Sequence, residues 1–125
     1  MSEVASGWVA DVDRDRDWLF VRVRVADSQN GNLHGFAESI WSLLQQHFMN
    51  RLVLELDELR TLPSALIGEL VRLYKRIQGS GGLMRLCGLN ESNQDVLRMT
   101  RLDQCFPHYL TRADAVRGVL GDGEQ

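Results

Sequence analysis

The chain has 125 residues, enough for one domain with a sizeable core. Hydrophobic residues make up 44% and charged residues 25%, a balance that excludes disorder of the whole chain. A net charge of −3 is too small to draw a nucleic acid or a membrane surface through bulk electrostatics, and no stretch is apolar for long enough to cross a bilayer.

In chain order, residues 1–7 are polar and are expected to be a flexible tail. Residues 8–120 are expected to form one domain, and residues 121–125 a second flexible tail. From Trp8 to Val25 the pattern is that of strands. Val9 and Val12 come first, then a charged break from Asp13 to Asp17, then Leu19, Val21, Val23 and Val25 at period two, with Arg22 and Arg24 on the other side. This predicts an antiparallel hairpin with one wet face. Asp27 to Asn32 has loop composition. Leu33 to Phe48 is predicted helical, with Leu33, Phe36, Ile40, Leu43, Leu44 and His47 on one stripe that Ala37, Trp41 and Phe48 widen. The stripe makes His47 a core histidine, and Trp41 and Phe48 are expected to complete the core.

Leu52, Val53, Leu54 and Leu56 make a short apolar run suited to a central strand buried on both faces. A turn from Asp57 to Pro63 leads into a second helix, Ser64 to Gln78, which faces Leu66, Ile67, Leu70, Val71, Leu73, Tyr74 and Ile77 inward and stops at Gly79-Ser80-Gly81-Gly82. A strand is predicted over Leu83–Leu89 and a helix over Gln94–Arg101. A short strand at Phe106–Leu110 and a last helix from Thr111 follow. The alternation of strands and helices predicts an α/β fold with a mixed central β-sheet and about four α-helices.

Most candidate chemistry fails on spacing. Asp11, Asp13, Asp15 and Asp17 alternate like the start of a calcium loop, but Arg16 stands where the turn glycine belongs and Arg22 where the last glutamate belongs. Cys87 and Cys105 sit in apolar contexts without neighbouring ligands, and His34, His47 and His108 are scattered with no nucleophile motif. Asp57-Glu58 follows a strand, yet no second group pairs with it. The glycine run at Gly79 ends a helix, whereas phosphate loops begin one. No metal, no cofactor and no enzymatic activity is expected, and nucleotide binding has no visible loop to support it. The N-terminus lacks the basic-then-apolar pattern of a secretory signal, so the expected location is the cytoplasm.

The stretch from Leu62 to Glu69 is the most informative. Ser64, Gly68 and Arg72 fall one helical turn apart on the side away from the core, with Ala65 beside them. A mid-helix glycine costs about 1 kcal/mol relative to alanine, so Gly68 calls for a reason, and close approach of another backbone is one. Small side chains at the start of a helix make a flat docking platform, rimmed by Glu69 and Arg72, with Asp57, Glu58 and Arg60 nearby. Ser64 has two readings. It is either a helix N-cap or a phosphoacceptor, at which a dianion would block a partner packed against it. Pro63 would set φ at the start of the helix.

Several segments together resemble the STAS domains, specifically the bacterial anti-sigma factor antagonists, whose sheet-and-helix architecture is SpoIIAA-like. They are Leu54-Glu55-Leu56, Pro63-Ser64-Ala65-Leu66-Ile67-Gly68, Leu73-Tyr74-Lys75-Arg76, Gly81-Gly82-Leu83-Met84-Arg85-Leu86, Leu97-Arg98-Met99-Thr100-Arg101-Leu102-Asp103, Phe106-Pro107 and Thr111-Arg112-Ala113-Asp114-Ala115. Pro63 stands where the family has Asp, and Ala65-Leu66 where it has Ser-Gly. The resemblance implies a regulatory binding module. Its partner would be an anti-sigma factor that is also a serine kinase, its phosphoacceptor Ser64, and its contact surface Asp57, Glu58, Arg60, Pro63, Ser64, Ala65, Gly68, Glu69 and Arg72. The alternative on the same fold is a constitutive scaffold or subunit of a signalling or lipid-transport assembly, or a homodimer, using Trp41 and Phe48 as an apolar contact.

Overall fold

A computed structural model describes residues 2–26 and 32–118. Its elements are β1 (Ser2–Ala5), β2 (Trp8–Arg14), β3 (Leu19–Val25), α1 (Phe36–Gln46), β4 (Arg51–Glu55), α2 (Ser64–Gly79), β5 (Leu83–Cys87), α3 (Glu91–Met99), β6 (His108–Tyr109) and α4 (Arg112–Arg117). The mixed sheet has the order β1-β2-β3-β4-β5-β6. β1, β2 and β3 pair antiparallel; β3, β4, β5 and β6 pair parallel.

The parallel half grows in one direction, each new strand adding beside the last. Right-handed crossovers then carry α1, α2 and α3 to the same face of the sheet. That face holds the main core, with Leu19, Val21, Leu52 and Leu54 from the strands packed against Phe36, Ile40, Leu66, Leu70 and Leu97 from the helices. α4 covers part of the other face, over a smaller cluster of Trp18, Phe20, Val53, Cys87, Tyr109 and Ala115. The predicted two-sided burial of β4 follows, since Leu52 to Glu55 are all buried.

The N-terminal tail is corrected in part. Ser2–Ala5 is an edge strand paired with β2, and Val4 and Ala5 are buried in the main core. A strand of four residues with two apolar side chains carries too little periodicity to stand out, so its ladder to β2 decides it. The loop expected from Asp27 to Asn32 lies outside the described residues except for Asn32, which bridges Ser6. The tail at 121–125 also lies outside them.

The end of α1 departs from the predicted stripe. The helix stops at Gln46, His47 is its half-buried C-cap, and Phe48 is 96% exposed, so neither residue belongs to the core. Trp41 is half-buried against the main core and lies under the Arg76 guanidinium, 4.5 Å from the ring centre. The cause is the cap. The Met49 amide donates to the Leu44 carbonyl and the Phe48 amide to Gln45, the paired bonds of a Schellman motif. Phe48 thus occupies the left-handed position, φ 55°, that α2 gives to Gly81, φ 81°. A bulky side chain there costs about 1 kcal/mol. Phe48→Gly is therefore expected to raise unfolding stability by about 0.5–1 kcal/mol in urea titration, even though it deletes a large hydrophobic side chain.

Candidate functional site

The parallel strands all end at the pole where α2 begins. Leaving β4, the chain turns through Asp57–Leu62, with the Leu59 amide donating to the Leu56 carbonyl at 3.1 Å, and enters the helix at Pro63. Pro63 is the N-cap, with φ −61° and ψ 150°, and its carbonyl accepts from the Ile67 amide at 3.1 Å. The helix begins at Ser64, as the spacing predicts, but the cap is Pro63, so of the two readings of Ser64 the N-cap is ruled out. Ser64 occupies the first helical position, exposed, with no side-chain cap bond anywhere at this helix start. The first turn of α2 contains no acidic residue, and the amides of a helix start favour an anion.

Ala65 and Gly68 are exposed next to Ser64, and a Cβ built at Gly68 meets nothing within 4 Å. Among the described residues no contact therefore explains this glycine. Arg72 lies exposed one turn on. The strip of Ser64, Ala65, Gly68 and Arg72 is thus small at one end and cationic at the other.

Glu69 does not join it. Its carboxylate turns inward, its side chain 14% exposed, and accepts from the Ala37 amide at 2.8 Å. Gly35, the N-cap of α1, has no side chain with which to cap. Glu69 supplies the missing cap from the neighbouring helix, and only a 3.7 Å contact links it to Arg72.

Asp57 and Glu58 also separate. Glu58 lines a groove of about 710 Å³ together with Trp8, Val25, Leu33, Pro63 and Ala65. Arg60 and Leu59 line it too. The groove opens directly beside Ser64 and is mostly apolar. Trp8 and Val25 reach it because they are register partners at the open end of the hairpin, a juxtaposition invisible in a sequence where they stand far apart.

Asp57 points the other way, toward the α4 side, with its Oδ1 at 3.2 Å from Arg22 Nε. There Glu55, only 3% exposed, is held between two guanidinium groups, at 2.7 Å from Arg22 Nη2 and 2.6 Å from Arg112 Nη2. Arg112 also reaches Asp13 at 2.8 Å and stacks on Phe20 at 4.2 Å. The hydrogen bond from Arg112 holds the Asp13 carboxyl below the ordinary value of 3.8. A cavity of about 360 Å³ lies here, lined by Arg22, Glu55, Asp57, Cys87, Thr111 and Arg112. Burial, reinforced by Glu55 and Asp57, pushes the Cys87 thiol up to about 12, so it is a poor nucleophile. The cluster ties α4 to the sheet through paired charges. Among the described residues no group of three or more His, Cys, Asp or Glu is placed to hold a metal ion, and no helix is long and apolar enough to cross a membrane.

The STAS domain family model matches residues 21–115. A candidate anti-sigma factor antagonist from Thermotoga maritima is 30% identical over 88 residues, covering 70% of this chain and 78% of that protein. A crystal structure of such a protein from the same organism superposes with a TM-score of 0.73 at 24% identity, over 88% of this chain and 93% of the other. The anti-sigma factor antagonist SpoIIAA in its unphosphorylated form superposes with a TM-score of 0.68 at 14% identity, over 90% of this chain and all of SpoIIAA. Its phosphorylated form gives 0.61 at 15% identity, over 89% and 99%.

The separation of Glu69 from the exposed strip has a measurable consequence. Glu69→Ala is expected to cost about 1 kcal/mol of unfolding stability, the worth of a helix cap. Amide exchange should rise in the first turn of α1 and stay unchanged at Ser64.

Proposed function

This chain belongs to the STAS domain family, and from that premise we propose that it is a regulatory protein-binding module similar to an anti-sigma factor antagonist. Its partner would be an anti-sigma factor that is also a serine kinase, met in the cytoplasm, and the binding would be switched by phosphorylation at Ser64. The observation that carries this reading is the placement of Ser64. It is exposed at the first position of α2, beside a glycine with open space above it and at the edge of an apolar groove.

The physics of the switch is asymmetric. A partner packed on Ser64, Ala65, Gly68 and Arg72, with Glu58, Arg60 and Pro63 along the groove, buries the serine hydroxyl at little cost. In the kinase step the Ser64 oxygen forms a bond to the γ-phosphorus of the partner's ATP. The bridging bond breaks, ADP leaves, and the hydroxyl proton passes to a base of the kinase. The product is a phosphate of charge about −1.5 to −2 at the helix start. The chain itself tolerates that charge, because the first-turn amides and the helix dipole face it. The partner does not, because it would have to bury an unpaired dianion. The chain is then the substrate of the transfer, with the phosphoryl-transfer machinery on the partner.

The test is capture of partners from the native host with wild-type, Ser64→Ala and Ser64→Asp chains. Wild type and Ser64→Ala are expected to hold a kinase-type partner. Ser64→Asp is expected to bind at least 100-fold more weakly, a loss of about 2.7 kcal/mol. Equal capture by all three would sink the switch and leave a constitutive scaffold on the same fold.

Gly68 gives an independent check. Gly68→Ala adds a methyl into open space and should stabilise the chain by about 0.5–1 kcal/mol. If a partner backbone approaches this position, the same methyl weakens the complex. A variant that melts higher and binds less tightly is the expected result; unchanged binding would move the interface off Gly68.

A further inference from the structure

We propose that Asn90 and Asn93, in the first turn of α3, are positioning residues for the loop that leads into Ser64. The inference rests on the reading of that loop and helix start as the partner surface. A loop of this kind has no sheet or helix ladder of its own, so its backbone groups take partners from elsewhere. Two consecutive carbonyls find them in one turn of one helix. Asn90 Nδ2 donates to the Arg60 carbonyl at 3.1 Å, and Asn93 Nδ2 donates to the Leu59 carbonyl at 3.2 Å.

Asn93 is 1% exposed, and with Glu55 it makes up the buried polar side chains among the described residues. Helix formation in α3 needs no amide at that depth; an aliphatic side chain would pack there. Asn90 is the N-cap of α3, and its Oδ1 accepts from the Asn93 amide at 2.7 Å. Serine or aspartate would cap as well. Only asparagine at this position offers both the capping oxygen and an N–H for the Arg60 carbonyl. The carboxamide is thus used at both ends, one for the helix and one for the loop.

A third hold lies at the loop's first residue. Gly88, φ +79°, lets the end of β5 pass so close that an added Cβ would come within 2.9 Å of Asp57 Cβ and 3.2 Å of its amide nitrogen. The grip therefore fixes Asp57, Leu59 and Arg60. Leu59, Arg60 and Thr61 line the groove immediately before Pro63 and Ser64. A surface held in this way meets its partner without first losing loop entropy. It also links the start of α3 mechanically to the serine.

Asn90→Asp separates holding the loop from holding the fold. The variant keeps the capping oxygen and removes the donor to Arg60. Asn90→Ser keeps a capping oxygen without adding a charge, and replaces the carboxamide N–H with a single hydroxyl one bond shorter than the group that spans to Arg60. Both are expected to keep the melting temperature of the full chain within a few degrees of wild type. Deuterium exchange at residues 58–61 should become about fivefold faster, the effect of one lost hydrogen bond, while α2 and the sheet stay unchanged. Affinity for the kinase-type partner captured with wild type should fall by a similar factor.

Unchanged exchange at 58–61 overturns the proposal. So does a uniform rise across the chain with a lower melting temperature, which would mean a purely structural cap. Faster loop exchange with undiminished affinity overturns the positioning role for binding. If wild type captures no partner, the functional reading falls, and the exchange measurement still decides whether Asn90 holds the loop.

Discussion

The parallel half of this sheet is laid down in one direction, and that constraint shapes everything above it. With β3, β4, β5 and β6 in sequential order, right-handed crossovers place α1, α2 and α3 on one face. Every strand-to-helix loop then emerges at one pole and every helix-to-strand turn at the other. The open end of the β2–β3 hairpin arrives at the first pole because β3 is the shared strand. Trp8 and Val25 therefore meet Pro63 and Ala65 around one groove. Phe48 lies in a helix-to-strand turn and so belongs to the opposite pole, away from the serine.

The same topology leaves the second face of the sheet thinly covered, and electrostatics does what packing cannot. Glu55 stands in a row of register partners, with Arg22 beside it on β3 and Cys87 beside it on β5. Alone, a carboxylate this deeply buried would be costly. Two guanidinium groups offset that cost, and one of them, Arg112, belongs to α4. The short last helix is docked both by Ala115, buried in the smaller cluster, and by this arginine, which also binds Asp13 and covers Phe20. Glu69 follows a related logic on the helical face, where it caps a neighbouring helix whose own start is a bare glycine. In both places a charged residue that looks like surface in the sequence is part of the frame.

The helical strip at the serine pole is chemically plain: a hydroxyl, a methyl, a bare glycine and an arginine, next to a mostly apolar groove that Glu58 and Arg60 also line. Such a surface suits recognition by shape. Under the proposed switch one added charge on it would change the outcome, since a partner shaped to a neutral hydroxyl would hold no group to pair with it. The helix start under Ser64 favours an anion within the chain, so in the proposed switch the penalty for a phosphate would fall on the complex and spare the fold. Gly68 adds to the same picture. No contact among the described residues offsets its cost to the helix, which is the observation behind the proposed contact with a partner.

Much of this was legible in the residues. The period-two run from Leu19 to Val25, the unbroken apolar run of β4 and the long stripe of α2 each announce their element, because each repeats one periodicity over enough residues to exceed chance. The exposed strip of Ser64, Ala65, Gly68 and Arg72 follows from helical spacing alone. Other features depend on which segments meet. The strand at Ser2–Ala5 exists because β2 offers it a ladder. Asp57 and Glu58 are neighbours in sequence but face opposite sides of the sheet edge. The groove joins the two ends of a hairpin to the start of a distant helix. Glu69 leaves the exposed strip because α1 begins without a cap, and Asn90 holds the loop before Ser64 through a carbonyl thirty residues before it. Periodicity is a local property, so the sequence by itself determines elements and the faces they present. Hydrogen-bond partners, charge pairs and clefts are relations between segments, and only the packed fold decides them.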